Sequence, residues 1–390
     1  MPPEPFTNPG PLEPFDERDS VFARTRLRPG SLKYDAYYAA HPASRDADDR
    51  TRALPPLASP CTRGYRAAEG VLVEALFDAS DLVAAAVESG AGAISVPEGL
   101  GAADAAVPGR GLPDASPTAL TRFAREAALF LGADDIGIAP LDPAFVYTHR
   151  GRPLARFGEP VDLAHRFAVV LVFPMRPALV ATSPLMASTA ETARVYQQAA
   201  AACFGLARAF ERLGIPARAH VDSNYLVICP PLAEAAGLGE VGRNGILVHR
   251  TLGPGVRLGV VTVAAELIPD PTRGFGIAAF CRICGKCATN CPAAAIPQGD
   301  PVAVRGALKW PMTAERCYHY WRTQGTDCGV CVRTCPFAKP DTPLHRLVRW
   351  SVRSTAALNR PLLWADDLIY GAAPPPAPSP FTSFDNEEER

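Results

Sequence analysis

The chain carries no excess charge of either sign: 39 lysines and arginines stand against 40 aspartates and glutamates over 390 residues, a formal net charge of -1. Nothing in that balance would draw a nucleic acid. Long hydrophobic runs are missing too. The most apolar stretch, Phe167 to Met175, is about half the ~18 residues that a membrane span requires. The opening residues MPPEPF lack the basic and apolar regions of an export signal and contain no twin arginine. A phosphate-gripping G-x-x-x-x-G-K-[ST] loop is absent. These gaps predict a soluble cytoplasmic protein with no nucleic-acid partner and no membrane span, long enough for two or three domains.

Cysteine is what the sequence has in quantity. Eight of its eleven cysteines fall in two runs. The first, Cys281, Cys284, Cys287 and Cys291 followed by Pro292, reads C-x2-C-x2-C-x3-C-P. The second, Cys328, Cys331 and Cys335 before Pro336, has its first ligand set back at Cys317. This is the bacterial-ferredoxin pattern for two [4Fe–4S] clusters, in which the fourth cysteine of each run serves the other cluster. Cys281, Cys284, Cys287 and Cys335 are therefore expected to hold one cluster, and Cys291, Cys317, Cys328 and Cys331 the other. Structural zinc is the competing use of paired cysteines, but it does not call for a third cysteine ahead of C-P. Disulfides would need an oxidising compartment. Cys61, Cys203 and Cys229 stand alone and are expected to be buried packing residues.

Around this segment the elements alternate. Residues 1 to about 60 are rich in proline, aspartate and arginine with interspersed aromatics, which predicts an irregular arm wrapped on the core. Gly70 to Ile94 suggests a strand followed by a helix. Ser116-Pro117 starts a helix, with Ser as N-cap, and Gly132 ends it. Asp135 to Ala139 and the apolar His165 to Phe173 are strands, the second buried on both faces. A long helix is predicted from Ala190 to Leu213, with Ser188 and Glu191 as capping box and Val195, Ala199, Ala202, Leu206, Phe210 and Leu213 as its buried stripe. Strands follow near Ala217–His220 and Val256–Ala264. The alternation predicts an α/β domain; residues 373–390, proline-rich then acidic, read as a mobile tail. Gly237, Gly239 and Gly242 fit G-x-G-x-x-G, but the preceding LAEAA looks helical where a dinucleotide fingerprint follows a strand. A glycine-rich turn approaching another cofactor or a cluster is the better reading.

The stretches AGLGEVGRNGILVHRTLGPGVRLGVVT (Ala236 to Thr262), CRICGKCATNCPAAAIPQG (Cys281 to Gly299) and CYHYWRTQGTDCGVCVRTCPF (Cys317 to Phe337) resemble the cobalamin-dependent reductive dehalogenases. So do FDERDSVFARTRLRPGSLKYDAYYAAHP near the N-terminus and WADDLIYG, Trp364 to Gly371. The resemblance implies an α/β, nitroreductase-like cobalamin-binding domain followed by a two-cluster ferredoxin-like module. The expected boundaries are 1–114 for an N-terminal arm and cap, 115–275 for the catalytic domain, 276–345 for the cluster module and 346–390 for a C-terminal extension. Its cofactors would be base-off cobalamin and two [4Fe–4S] clusters. The absence of a D-x-H-x-x-G motif agrees, since His149, in YTHRG, has no aspartate to make it a cobalt ligand. Gly237, Gly239, Gly242 and Arg243 are expected beside the cobalamin or a cluster.

By the same resemblance Tyr196 matches the family's proton donor, Arg257 the basic residue beside it and Asn224 an asparagine that orders substrate and tyrosine. A guanidinium close to a phenol lowers its pKa below the usual ~10, which would make Tyr196 a usable acid near neutral pH. Plainer roles compete: Tyr196 as a half-buried helix residue, Arg257 paired with Glu240 or Glu266, Asn224 as a turn residue. Implied partners are an organohalide, with an aromatic one as the default, and an external donor such as ferredoxin or flavodoxin. The related epoxyqueuosine reductases take their acid from a V-D-S motif, which Val221-Asp222-Ser223 repeats, so Asp222 is the alternative acid. Against that family stands GLGE-x-GR in place of GLGW-x-GK. A cluster-bearing electron carrier without cobalamin is a third reading.

Overall fold

The computed structural model describes residues 8–89 and 115–381. The N-terminal arm is helical where irregular chain was expected: α1 (Val21–Arg24), α2 (Leu32–Ala40) and α3 (Pro42–Arg52) follow one another. The Ser20 and Ser31 side chains accept the backbone N–H of Ala23 and Tyr34, which starts α1 and α2. Tyr34, Tyr37 and Tyr38 then bury their rings together with Leu27. Gly70 sits inside one long helix, α4 (Ala67–Ser89), so the strand expected there does not form. The end of that expected segment, 90–94, lies outside the described residues.

The body is a four-stranded sheet. α5 (Pro117–Phe130), capped by Ser116 as its sequence predicts, leads into β1 (Asp135–Pro140). Then come β2 (Phe167–Pro174), α6 (Pro177–Val180), α7 (Met186–Arg212), β3 (Ala217–His220), α8 (Cys229–Ala235), a hairpin of β4 (Gly239–Val241) and β5 (Leu247–His249), and β6 (Val256–Val263). The sheet order is β1-β2-β6-β3, antiparallel at every pairing. Phe167 to Phe173 are all buried, because α7 covers one face of β2 and α8 the other.

α7 begins four residues earlier than its pattern suggested, and the expected capping box is not there. Glu191 instead accepts the Arg176 N–H at 2.7 Å and pairs with Arg194, while the Ser188 hydroxyl is buried without a partner among the described residues. Gly259 on β6 lets α7 come close: a Cβ there would meet Cys203 Sγ at 2.3 Å. Arg257, two residues earlier on the same strand face, is thereby brought against the next turns of the helix.

The cluster module contains α9 (Ile277–Cys284), α10 (Lys286–Thr289), the β7 (Val302–Val304) and β8 (Ala307–Lys309) hairpin, α11 (Ala314–Gln324) and α12 (Val330–Arg333). It is followed by α13 (Pro343–Ser354) and α14 (Asn359–Tyr370). Residues 371–381 are docked, which corrects the mobile-tail expectation for that part. Ala377 N–H bonds Ala181 O at 2.9 Å, and the carbonyls of Gly371 and Ala372 accept from Lys286 and Asn290. Residues 382–390 of the expected tail lie outside the described residues. No helix among the described residues is long and apolar enough to cross a membrane.

Candidate active site and cluster pockets

The two cysteine runs fold into two groups that exchange members. Cys281, Cys284, Cys287 and Cys335 lie within electrostatic reach of one another. Cys291, Cys317, Cys328 and Cys331 do the same. Cys287 and Cys331 bring the two groups side by side. The first quartet surrounds a cavity whose walls also include Arg243, Asn244, Val248 and Phe280. Among the described residues no three His, Cys, Asp or Glu side chains converge on a single-ion site. Four thiols around a void suit a cube of iron and sulfide, with one thiolate per iron, rather than one tetrahedral zinc. Of the remaining cysteines, Cys203 is core as expected and Cys229 is half-buried at the start of α8. Cys61 is exposed, which contradicts its expected burial, because it lies in the irregular link between α3 and α4.

The glycine-rich signature is divided in function. Gly237 and Gly239 serve packing: a Cβ would meet Pro271 O at 2.7 Å and Val248 O at 2.2 Å respectively. Neither borders the cavity of the first quartet. Gly242 and Arg243 do lie beside that quartet. A Cβ on Gly242 would stand 3.8 Å from Cys281 Sγ. The Arg243 guanidinium donates to the carbonyls of Cys281, Arg282, Pro297 and Gly299 at 2.8–3.2 Å and lies 4.7 Å from the Trp310 ring centre. Asn244 lines the first quartet's cavity and hydrogen-bonds Cys331 of the second.

Tyr196 and Arg257 meet. The guanidinium sits over the phenol ring, 5.3 Å from its centre. Nη2 of Arg257 donates to Thr192 Oγ1 at 2.9 Å and reaches Asp327 Oδ2 at 3.4 Å. Among the described residues its Nε is buried with no partner. Glu240 and Glu266, the carboxylates first considered for Arg257, are engaged elsewhere. Glu240 caps the start of α9, and Glu266 pairs with Arg166 at 2.7 Å. The expectation that Arg257 brings the phenol toward neutral pH is corrected. Burial outweighs the guanidinium, and the Tyr196 pKa is pushed up to about 12. Tyr196 therefore holds its proton throughout the physiological range.

Tyr225, Asp222 and Cys229 also face Tyr196. Tyr196, Tyr225 and Cys229 are strongly desolvated yet keep accessible surface, as groups lining an internal concavity do. Arg152 and Arg26 lie beyond them near Asp222. Asn224 is turned from this pair toward α4: it donates to Ala84 O at 2.9 Å and accepts from Arg218 at 2.8 Å. His149 stands 3.2 Å from Asp16.

Sequence reasoning missed Thr189, Thr192 and Asp327. The threonines had a usable signal, since steps of three and four residues place 189, 192 and 196 on one helix face. Asp327 had none beyond preceding Cys328.

Residues 280–339 match the family of 4Fe–4S dicluster domains. The chain thus carries a 4Fe–4S dicluster domain. It is 30% identical over 276 residues to the tetrachloroethene reductive dehalogenase of Desulfitobacterium hafniense, a match covering 59% of this chain and 50% of that one. The chain therefore spans about half the length of the curated relatives that it matches. Among solved structures, the catabolic reductive dehalogenase NpRdhA in complex with 3-bromo-4-hydroxybenzoic acid superposes with a TM-score of 0.62 at 27% identity. That match covers 67% of this chain and 38% of that one. An epoxyqueuosine reductase of Synechococcus sp. (strain RCC307) is 31% identical over 162 residues, 38% of this chain and 47% of that one. The chain is similar to reductive dehalogenases over about half of their length and, over shorter stretches, to epoxyqueuosine reductases.

Proposed function

We propose that this chain is a reductive dehalogenase that replaces a carbon–halogen bond by carbon–hydrogen, consuming two electrons and one proton and releasing halide. The observation that carries the reading is the Arg257 guanidinium over the Tyr196 ring. Bound base-off cobalamin would supply a strongly reducing cobalt to the carbon–halogen bond, and the two clusters would supply electrons singly. The sheet with α7 and α8 is the unit we read as nitroreductase-like and cobalamin-holding. The unpartnered Arg257 Nε, with the desolvated but still partly accessible Tyr196, Tyr225 and Cys229 around it, is what favours a ligand there.

In this reading Tyr196 delivers its phenolic proton to the substrate carbon, and Arg257 stabilises the tyrosinate until solvent returns a proton. The eight cysteines hold the clusters in the two quartets described, and a ferredoxin or flavodoxin provides the electrons. We take the substrate to be an aromatic organohalide, in keeping with the 3-bromo-4-hydroxybenzoic acid with which NpRdhA is in complex. Asn224 acts at a distance, by fixing the turn that carries Asp222 and Tyr225.

Tyr196→Phe removes the acid and should lower kcat by roughly 10²–10⁴-fold with corrinoid binding unchanged. The assay is anaerobic turnover with reduced methyl viologen across halophenols, haloalkenes and an epoxide-bearing nucleoside. Full activity of the Phe variant together with loss on Asp222→Asn would favour the epoxyqueuosine-reductase-like reading, which the proximity of Asp222 to Tyr196 keeps in view. Eight irons with no corrinoid uptake would favour a simple electron carrier.

A further inference from the structure

The carboxylate that holds the proposed catalytic pair belongs to the cluster module. Asp327 lies in the turn before α12, one peptide bond from Cys328 of the second quartet. Its Oδ1 accepts from Thr189 Oγ1 at 2.9 Å and its Oδ2 from Thr192 Oγ1 at 2.6 Å. Its own backbone N–H donates to Thr189 Oγ1 at 3.1 Å. The turn is seated tightly. Thr326 Oγ1 donates to Pro184 O at 2.9 Å, and Gly329 approaches the start of α7 so closely that a Cβ would meet Ser183 Oγ at 2.5 Å. Cys328 adopts φ +64°, a left-handed conformation that a non-glycine residue adopts at a cost of roughly 1–3 kcal/mol. The surroundings therefore over-determine this turn.

A surface salt bridge would leave both partners free to choose other rotamers. Here the carboxylate is fixed by two threonines of the helix that carries Tyr196, and Arg257 reaches the same oxygen that Thr192 does. With Nη2 tethered in this way, the guanidinium plane lies over the ring and Nε is left unpartnered. Resting on the reading of Tyr196 and Arg257 given above, we propose that Asp327 is a positioning residue that holds Arg257 over Tyr196 and ties this pair to the cluster bound by Cys328.

The charged and titratable groups facing the Tyr196 ring are Arg257 on β6, Asp222 and Tyr225 in the turn after β3, Cys229 on α8, and Asp327. Only Arg257 favours the tyrosinate. Asp327 opposes it while holding the cation that supports it, so its removal acts in two ways. Arg257 loses its tether, and a negative charge is lost both from the ring and from the cluster ligand.

The test uses the full chain with both clusters assembled. Asp327→Asn should lower kcat about 10–100-fold while KM stays within about twofold, since a displaced guanidinium no longer meets the developing tyrosinate. An EPR-monitored redox titration without substrate or corrinoid should show one cluster's midpoint raised and the other unmoved, because net charge beside a cluster sets its potential. Wild-type kcat and both midpoints in this variant would overturn the proposal. If Asp327→Asn fails to assemble both clusters, the double variant Thr189→Val/Thr192→Val decides. It keeps every charge, and the proposal requires a similar loss of kcat with both midpoints unmoved; wild-type kcat overturns it. Full turnover by Tyr196→Phe would remove the underlying reading instead, and leaves the midpoint result standing by itself.

Discussion

Glu240, the acid of the GLGE signature, should prove to be a structural anchor of the first cluster pocket. Its carboxylate is 1% exposed. Oε1 accepts the N–H of Phe275 and, at 3.0 Å, of Gly276; Oε2 accepts the N–H of Ala278 at 2.6 Å. These donors open α9, which has no side-chain cap from its own segment and which carries Cys281 and Cys284. A helix start leaves its first N–H groups unmet and holds partial positive charge, so a carboxylate from the neighbouring hairpin answers both needs. Glu240→Gln keeps the shape but turns an NH2 toward one N–H, at a cost of about 1–3 kcal/mol. Glu240→Ala leaves all three donors unmet. Even after discounting the desolvation that the buried carboxylate no longer suffers, the loss should be roughly 3–6 kcal/mol. That is a large part of the ~5–15 kcal/mol of a typical domain. Anaerobic guanidinium unfolding, with iron content and EPR on the same samples, checks this. The Ala variant should lose the cluster of Cys281, Cys284, Cys287 and Cys335 first and retain the other. An Ala variant with about eight irons per chain and unfolding within ~0.5 kcal/mol of wild type would refute the capping argument.

Arg243→Lys should not rescue the loss caused by Arg243→Ala, because one ammonium cannot reach four carbonyls that a planar fork spans. Both variants should release iron to a chelator at least ~10-fold faster than wild type, read as bleaching of cluster absorbance. Glu88 supplies a pH prediction. Arg150, Arg156 and Arg218 around it outweigh its burial and depress its pKa from 4.5 to about 2. A depressed carboxylate stabilises the fold above its unfolded pKa and loses that contribution as pH falls through the folded value. Glu88→Gln should therefore cost about 1–2 kcal/mol at pH 7, the part of that shift left after solvent screening of a partly exposed ion-pair network. The difference from wild type should shrink between pH 4.5 and 2, as measured by paired denaturant midpoints; a gap independent of pH over that window would contradict the assigned cause.

How far the sequence could be read depended on how local each signal was. The cysteine quartets were legible because cluster ligation fixes spacing within a few residues, and the exchange of the fourth ligand follows a general rule. Ser116-Pro117 announced α5 through a cap completed within one turn. The start of α7 was misjudged because Glu191, the acid of a plausible local pair with Ser188, is taken up by the Arg176 N–H ahead of the helix and by Arg194. The same happened to Glu240, which looked like an ion-pair partner and caps a helix that begins 37 residues later. In the arm, proline and charge suggested irregular chain, yet serine caps and a tyrosine cluster make it helical.

The state of Tyr196 shows why electrostatics was the hardest part to foresee. Adjacency to Arg257 was inferable, and it gives the right sign for that one interaction. The net shift depends on how completely the ring is enclosed and on carboxylates from two other segments, Asp222 and Asp327. Enclosure raises the phenol's pKa more than the guanidinium lowers it, so the proton is retained at rest. In the proposed reaction the value of Arg257 would lie in the moment after the proton leaves, when a buried tyrosinate would otherwise face two carboxylates alone. A guanidinium stacked on the ring and tethered by Thr192 and Asp327 is already in place for that moment and needs no rearrangement. On the proposed function, acid strength and anion stabilisation would thus be supplied by different features: burial would keep the donor loaded, and a preorganised cation would meet the charge that donation creates.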